Sequence, residues 1–132
     1  MSRVTYDDLR IAAEKEDWDF VDANIPKVVA RKDAIDWALH EAIKSANVNV
    51  RDLGASMIGK AKISSNVFAK MRPSLFGLLE RDADNYAGFR AACALAEHGP
   101  DKYLSDVRKT LQRFSKDKDV GGIAREYLQK IS

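Results

Sequence analysis

Three arginines recur at similar places along the chain, and each could bind an anion. Arg51, Arg90 and Arg125 each follow a turn that carries an asparagine or an aspartate. A guanidinium offers a planar fork of donors that pairs with a carboxylate through two hydrogen bonds. The arginines either form a row of cations facing an anionic partner or tie the turns together by bonding their carboxylates and carbonyls. We favour the structural interpretation.

A second group of cations lies further along the sequence. On a helical wheel four basic residues fall on one face, opposite an apolar stripe: Lys102, Lys109, Arg113 and Lys116. Residues 102–118 contain six basic and two acidic residues, whereas residues 1–22 contain three basic and seven acidic residues. A basic stripe could follow the phosphates of a nucleic acid. A solvated surface helix produces the same pattern, so this anion-binding face is an alternative hypothesis.

Acidic, histidine and cysteine side chains give weaker signals. Three aspartates cluster around Trp18: Asp17, Asp19 and Asp22. They could hold a cation or a basic peptide, although carboxylates in the first turn of a helix also complement its dipole. Neither histidine has a second metal ligand at helical spacing. Cys93 lies among alanines, where we expect a buried and unreactive thiol. The sequence therefore predicts no catalytic residue, no metal site and no cofactor.

The elements that must position these residues are helices. Apolar residues recur at steps of three and four, which predicts an all-α protein. Caps, glycines and prolines divide the chain into eight helices, at about 5–16, 17–31, 33–46, 50–61, 65–81, 86–98, 101–115 and 121–131. Thr5 and Asp8 predict a capping box. Pro26 is expected to kink or split the second helix, and Ser65 to cap the fifth.

The spacing of the helices predicts a repeat. Four short polar turns precede helices that begin near residues 18, 50, 86 and 120. A nearly constant period of this length is typical of stacked helix pairs. Such pairs bury their apolar faces only by packing on their neighbours, which builds a superhelical solenoid.

Two of these repeats carry a recognisable pattern. Val50-Arg51 is followed by small residues, leucine and glycine up to Gly59, and Phe89-Arg90-Ala91-Ala92 is a looser version. Together with Pro73 in the preceding helix, the pattern resembles HEAT repeats, particularly the short prokaryotic kind related to phycocyanobilin lyases. Gly121-Gly122 departs from it in the last repeat. The resemblance implies a right-handed α-α superhelix of about four helix pairs. They would form one domain over 1–132, with repeats near 4–31, 33–62, 65–98 and 101–131.

The resemblance also implies a function. A short solenoid presents an extended, shallow surface, so we expect a non-catalytic scaffold that binds another protein. In HEAT architecture the second helices line the concave side, which places the partner-binding residues at Arg51, Lys60, Arg90, His98 and Arg125. Nucleic-acid binding through the basic face of helix 101–115 is the second hypothesis. An accessory subunit of a lyase-type enzyme is the third.

Composition sets outer limits on these hypotheses. The 132 residues are 45% hydrophobic and 32% charged with a net charge of +2, which suits one globular domain rather than a protein that coats nucleic acid. The longest uncharged runs have seven residues, too few to span a membrane. The lone cysteine and the acidic N-terminal segment predict a cytoplasmic protein. We expect a monomer or a weak homo-oligomer.

Overall fold

The computed structural model describes residues 3–132, and every regular element in that range is helical. The eight α-helices of this range are α1 (Tyr6–Glu14), α2 (Trp18–Val28), α3 (Ala34–His40), α4 (Val48–Lys60), α5 (Ser65–Arg81), α6 (Tyr86–His98), α7 (Leu104–Phe114) and α8 (Gly121–Lys130). Short 3-10 turns follow α3, at Ala42–Lys44, and precede α7, at Asp101–Tyr103. The predicted all-α class is confirmed.

Polar side chains begin most of the helices as the sequence suggests. Thr5 accepts a hydrogen bond from the Asp8 amide and Asp8 accepts one from the Thr5 amide, which completes the capping box on α1. Asn47 and Asn85 cap α4 and α6 through their side chains, which accept hydrogen bonds from amides of the first turn. The cap of α5 is Ser64 rather than Ser65, because the Ser64 hydroxyl accepts from the third amide of the helix.

Three helices, α2, α3 and α7, differ from their predicted spans by three residues or more at one end. The second helix is not split, since α2 continues past Pro26 for two further residues. The third ends at His40, where the chain tightens into the 3-10 turn. The seventh begins at Leu104 instead of Asp101, because Asp101 has a φ of 50°, outside the α-helical region.

The helices pack as four consecutive pairs: α1 with α2, α3 with α4, α5 with α6, and α7 with α8. The second helices of the pairs also contact one another in the order α2, α4, α6, α8, and we call them the second-helix row. The α4–α6 contact is the most extensive of the structure, and nearly every residue from Val50 to Ile58 is buried. The buried apolar residues form one cluster that runs from Leu9 to Ala124.

Candidate functional site

A cleft of about 270 Å³ opens across the second-helix row. We call it the row cleft. Trp18 and Asp22 line it from α2, Tyr86 and Arg90 from α6, and Asp119 from the turn before α8. The central helix α4 contributes an aspartate, a serine and a lysine. Residues far apart in the sequence therefore meet at one place because the second helices of all four pairs are neighbours.

Asp52 is the most unusual of the residues in the row cleft. It lies on α4 among buried neighbours and is only 9% exposed. The Ser56 hydroxyl donates a hydrogen bond to its Oδ1 at 3.2 Å, and Nε of Arg90 lies 3.9 Å from the same oxygen. Burial raises the pKa of Asp52 to about 6, because Arg90 and Ser56 only partly offset the loss of solvent and Asp22 adds a like charge.

The two carboxylate oxygens of Asp52 have different surroundings. Among the described residues, the Ser56 hydroxyl and Nε of Arg90 approach Oδ1, and Oδ2 accepts no hydrogen bond. No fully buried side-chain nitrogen or oxygen in residues 3–132 lacks a partner. Oδ2 must therefore reach solvent, and the row cleft is the space that Asp52 lines. The free oxygen is available to a ligand.

Five residues were assigned to the concave side from the sequence, and the structure separates them. Lys60 and Arg90 do line the row cleft. Arg51 does not, because it is 7% exposed and its guanidinium is occupied. Its Nε and Nη2 donate to the two carboxylate oxygens of Asp82 at 2.8 and 2.9 Å, and its Nη1 donates to two carbonyls of the turn before α4. The assignment of Arg51 to a binding surface is corrected to a structural role.

The Arg51–Asp82 pair joins the second and third helix pairs. Burial alone would raise the pKa of Asp82, but hydrogen bonds from Arg51 and Asn85 hold it below its ordinary value. Such a bidentate, nearly buried pair fixes the position of one turn against the next. The structural interpretation of the arginines is thereby confirmed for Arg51.

The other two residues of the set are also engaged within the chain. Nε2 of His98 lies 2.8 Å from the carbonyl of Ile58 and donates to it, and the imidazole packs 4.8 Å from the Phe68 ring. His98 therefore joins α6 to α4. Arg125 is exposed, and its Nη1 donates to the carbonyl of Ser115 in the turn before α8. Neither side chain lines the row cleft.

The predicted anion-binding face is divided among three elements. Lys109 and Arg113 lie on α7, Lys102 lies in the 3-10 turn before it and Lys116 lies in the turn after it. The Arg113 guanidinium donates to the carboxylate of Asp84 and to a backbone carbonyl, both at 2.8 Å. The face therefore presents fewer free cations than the sequence suggests.

The acidic cluster around Trp18 also divides. Asp17 caps α2 by accepting from the Phe20 amide, and Asp19 lies exposed in the first turn. Asp22 and Trp18 contribute to the row cleft. Cys93 is buried as predicted, and burial raises its pKa to about 12, so the thiol stays protonated.

Sequence reasoning missed Asp52, the central residue of the site. One signal could have found it. Asp52 is the only acidic residue of α4, and most other residues of this helix are apolar or glycine. A carboxylate within such a helix is either satisfied in the core or directed at a polar cleft.

In the part of the chain that the structure describes, no group of three or more histidine, cysteine, aspartate or glutamate residues could hold a metal ion. None of its helices is long and apolar enough to cross a membrane. Comparison of the chain with protein-family models, with curated proteins and with solved structures found no match.

Proposed function

We propose that this protein is a non-catalytic helical-repeat scaffold and that it binds a partner protein in the row cleft. The observation that carries the proposal is Asp52, a nearly buried residue with one carboxylate oxygen that accepts no hydrogen bond, in a cleft lined by α2, α4, α6 and the turn before α8. A carboxylate that has lost most of its solvent and fills only part of its hydrogen-bonding capacity within the chain carries a free-energy cost. A partner protein that donates a hydrogen bond to this second oxygen would recover that cost as binding free energy.

The packing supports a HEAT-like arrangement for this scaffold. Consecutive helices pair, and the second helices contact one another in series, as expected of a right-handed α-α superhelix. The Arg51–Asp82 pair adds a tie between successive turns. We propose that the second-helix row forms the concave side and that Lys60 and Arg90 belong to the partner-binding surface.

Affinity capture with a matched pair of variants tests the proposal. Ser56 lines the row cleft and is not a buried core residue, so Ser56→Arg fills the cleft, with the loss of the hydrogen bond from Ser56 to Asp52. Ser74 is an exposed residue of α5, and Ser74→Arg makes the same change away from the cleft. The tagged wild-type chain is expected to retain a protein partner from native lysate after nuclease treatment. Ser56→Arg is expected to lose it and Ser74→Arg to keep it.

Nuclease and a third variant test the alternative of nucleic-acid binding. If the basic face is the functional surface, capture will disappear with nuclease and with Lys109→Glu, and Ser56→Arg will bind normally. That result would overturn the row cleft as the binding surface. Circular dichroism and thermal unfolding of each variant show whether a loss of capture reflects a loss of fold.

A further inference from the structure

We propose that the row cleft receives a lysine or arginine side chain of the partner protein, with Asp52 as its buried counter-charge. This inference rests on the proposed function, because it names the chemistry that the partner brings to the same cleft.

The charge around the cleft favours a cation. Three carboxylates line it, from Asp22, Asp52 and Asp119, against the two cations of Lys60 and Arg90. Asp52 is the most buried of the charged residues in this group, so its charge is the least screened by solvent. An anion entering the cleft would meet an excess of like charge, whereas a cation would meet the free Oδ2 of Asp52.

Arg90 does not already satisfy this carboxylate. Its Nε is 3.9 Å from Oδ1, beyond hydrogen-bonding distance, and the guanidinium lies 5.4 Å from the ring centre of Phe89. In contrast, Arg51 approaches Asp82 to 2.8 Å with two parallel hydrogen bonds. The Arg51–Asp82 pair is therefore fully hydrogen-bonded, whereas the Arg90–Asp52 pair has no hydrogen bond.

Aromatic side chains complete the recognition of a cation. Trp18 and Tyr86 line the same cleft from α2 and α6. Tyr86 is 39% exposed, and its hydroxyl donates to the Asp117 carboxylate, which fixes the ring beside the cleft. Aromatic faces attract ammonium and guanidinium groups and pack along their aliphatic stems. The cleft therefore offers both the charge and the apolar contacts that a long cationic side chain needs.

The proposal predicts a dependence on pH. A cation binds the ionised form of Asp52, so binding should weaken as the pH falls below about 6, where this carboxyl takes up a proton. The polar and titratable groups around Asp52 are Arg90 and Cys93 from α6, Asp22 from α2, Ser56 and Lys60 from its own helix, and Asp119 from the turn before α8. Burial raises the pKa of Cys93 to about 12, so this thiol stays neutral at the pH values near which Asp52 takes up its proton.

Peptide titration of the full chain tests the inference without the partner. The probe is acetyl-Gly-Arg-Gly-amide, and the control is the same peptide with citrulline, the neutral isostere of arginine. Binding is followed by NMR of the uniformly nitrogen-15-labelled chain. We expect saturable chemical-shift changes confined to the cleft residues. The citrulline peptide should bind at least about tenfold more weakly than the arginine peptide.

Two variants locate the contact. Asp52→Asn keeps the shape of the side chain and should weaken the arginine peptide by about tenfold, with no remaining dependence on pH near 6. Glu80→Gln removes an exposed carboxylate from α5 and should leave the affinity unchanged. Equal binding of the two peptides would overturn the inference, and so would unchanged binding by Asp52→Asn or preferential binding of a glutamate peptide.

The two proposals fail in distinguishable ways. If Ser56→Arg abolishes capture of a protein partner but the arginine peptide does not bind, the row cleft is the interface. The proposal that the partner inserts a lysine or arginine side chain is then wrong. If the peptide binds at Asp52 but Ser56→Arg captures the partner normally, the cleft recognises cations and the protein interface lies elsewhere.

Discussion

Asp52 and Asp82 are both buried, yet their surroundings act on them in opposite directions. The pKa of Asp52 is raised to about 6 by burial, which its neighbours only partly offset. Burial would also raise the pKa of Asp82, but hydrogen bonds from Arg51 and Asn85 outweigh it, so this pKa is lowered. The difference lies in distance and geometry, because Arg51 makes two short hydrogen bonds and Arg90 makes none to Asp52.

These directions give opposite contributions to stability. A carboxyl with a raised pKa in the folded state destabilises the fold above that pKa, and stability increases as the pH falls from about 6 towards about 4. A carboxyl with a lowered pKa stabilises the fold above about 4, and this contribution is lost as the pH falls through its folded value. Asp52 therefore weakens the fold at neutral pH, whereas Asp82 strengthens it.

We expect Asp52→Asn to stabilise the protein at pH 8. Each unit of raised pKa corresponds to about 1.4 kcal/mol, and the loss of the Arg90 ion pair offsets part of the gain, which leaves about 1–2 kcal/mol. Urea unfolding at several pH values measures this difference in the free energy of unfolding between variant and wild type. The difference should shrink as the pH falls from about 6 to about 4. Glu80→Gln is the matched control. An Asp52→Asn variant less stable than wild type at pH 8 would show that the carboxylate is satisfied by the fold.

Some residue environments were predictable from the sequence, and the row cleft was not. The burial of Cys93 was predictable from its alanine neighbours, and the structural role of Arg51 was one of two stated alternatives. The row cleft was not predictable, because Trp18, Asp52 and Arg90 are brought together only by the order in which the second helices pack. Helical periodicity assigns a residue to a face of its own helix and gives no register between helices.

At the scale of elements, two glycines of adjacent helices have contrasting surroundings. Gly88 lies in the first turn of α6, where an added Cβ would come within 2.0 Å of the carbonyl oxygen of Asp82. Gly77 lies on α5, where an added Cβ would meet nothing within 4 Å. The close approach at Gly88 holds the start of α6 against the turn that carries Asp82, and so preserves the Arg51–Asp82 pair.

We expect Gly88→Ala and Gly77→Ala to change stability in opposite directions. The first forces the start of α6 away from the turn and should lower the free energy of unfolding by about 3 kcal/mol. The second replaces a flexible residue in a helix and should raise it by about 0.5–1 kcal/mol. Urea midpoints at an unchanged slope measure both. A Gly88→Ala variant as stable as wild type would mean that the turn can move without loss of packing.

Helix positions were largely predictable because the caps are local. The capping box of Thr5 and Asp8, and the asparagines before α4 and α6, act over three residues or fewer. The end of α3 was not predictable, because it coincides with a contact between residues that are far apart in the sequence. The chain after His40 tightens where Ala42 and Ile43 lie against the backbone of Gly54, at a separation that leaves no room for a Cβ.

In the whole molecule, the four helix pairs share one hydrophobic core, which bears on whether they unfold together. The buried residues form one cluster, and α4 and α6 each contact helices of more than one pair. In an array of weakly coupled repeats, the ends would unfold separately. Here the central pairs share so much of the core that a partly folded chain would expose it, which favours one cooperative transition.

We expect two probes of unfolding to give the same midpoint in urea. Both tryptophans lie in the first half of the chain, Trp18 on α2 and Trp37 on α3, so fluorescence reports that half, whereas far-UV circular dichroism reports all the helices. Gly88→Ala sharpens the test because its site lies on α6, in the other half. If the chain is one cooperative unit, this variant should lower the fluorescence midpoint by as much as the circular dichroism midpoint. A fluorescence midpoint that stays at the wild-type value while the dichroism midpoint falls would show that the two halves unfold independently, and that the row cleft can open without loss of the first two helix pairs.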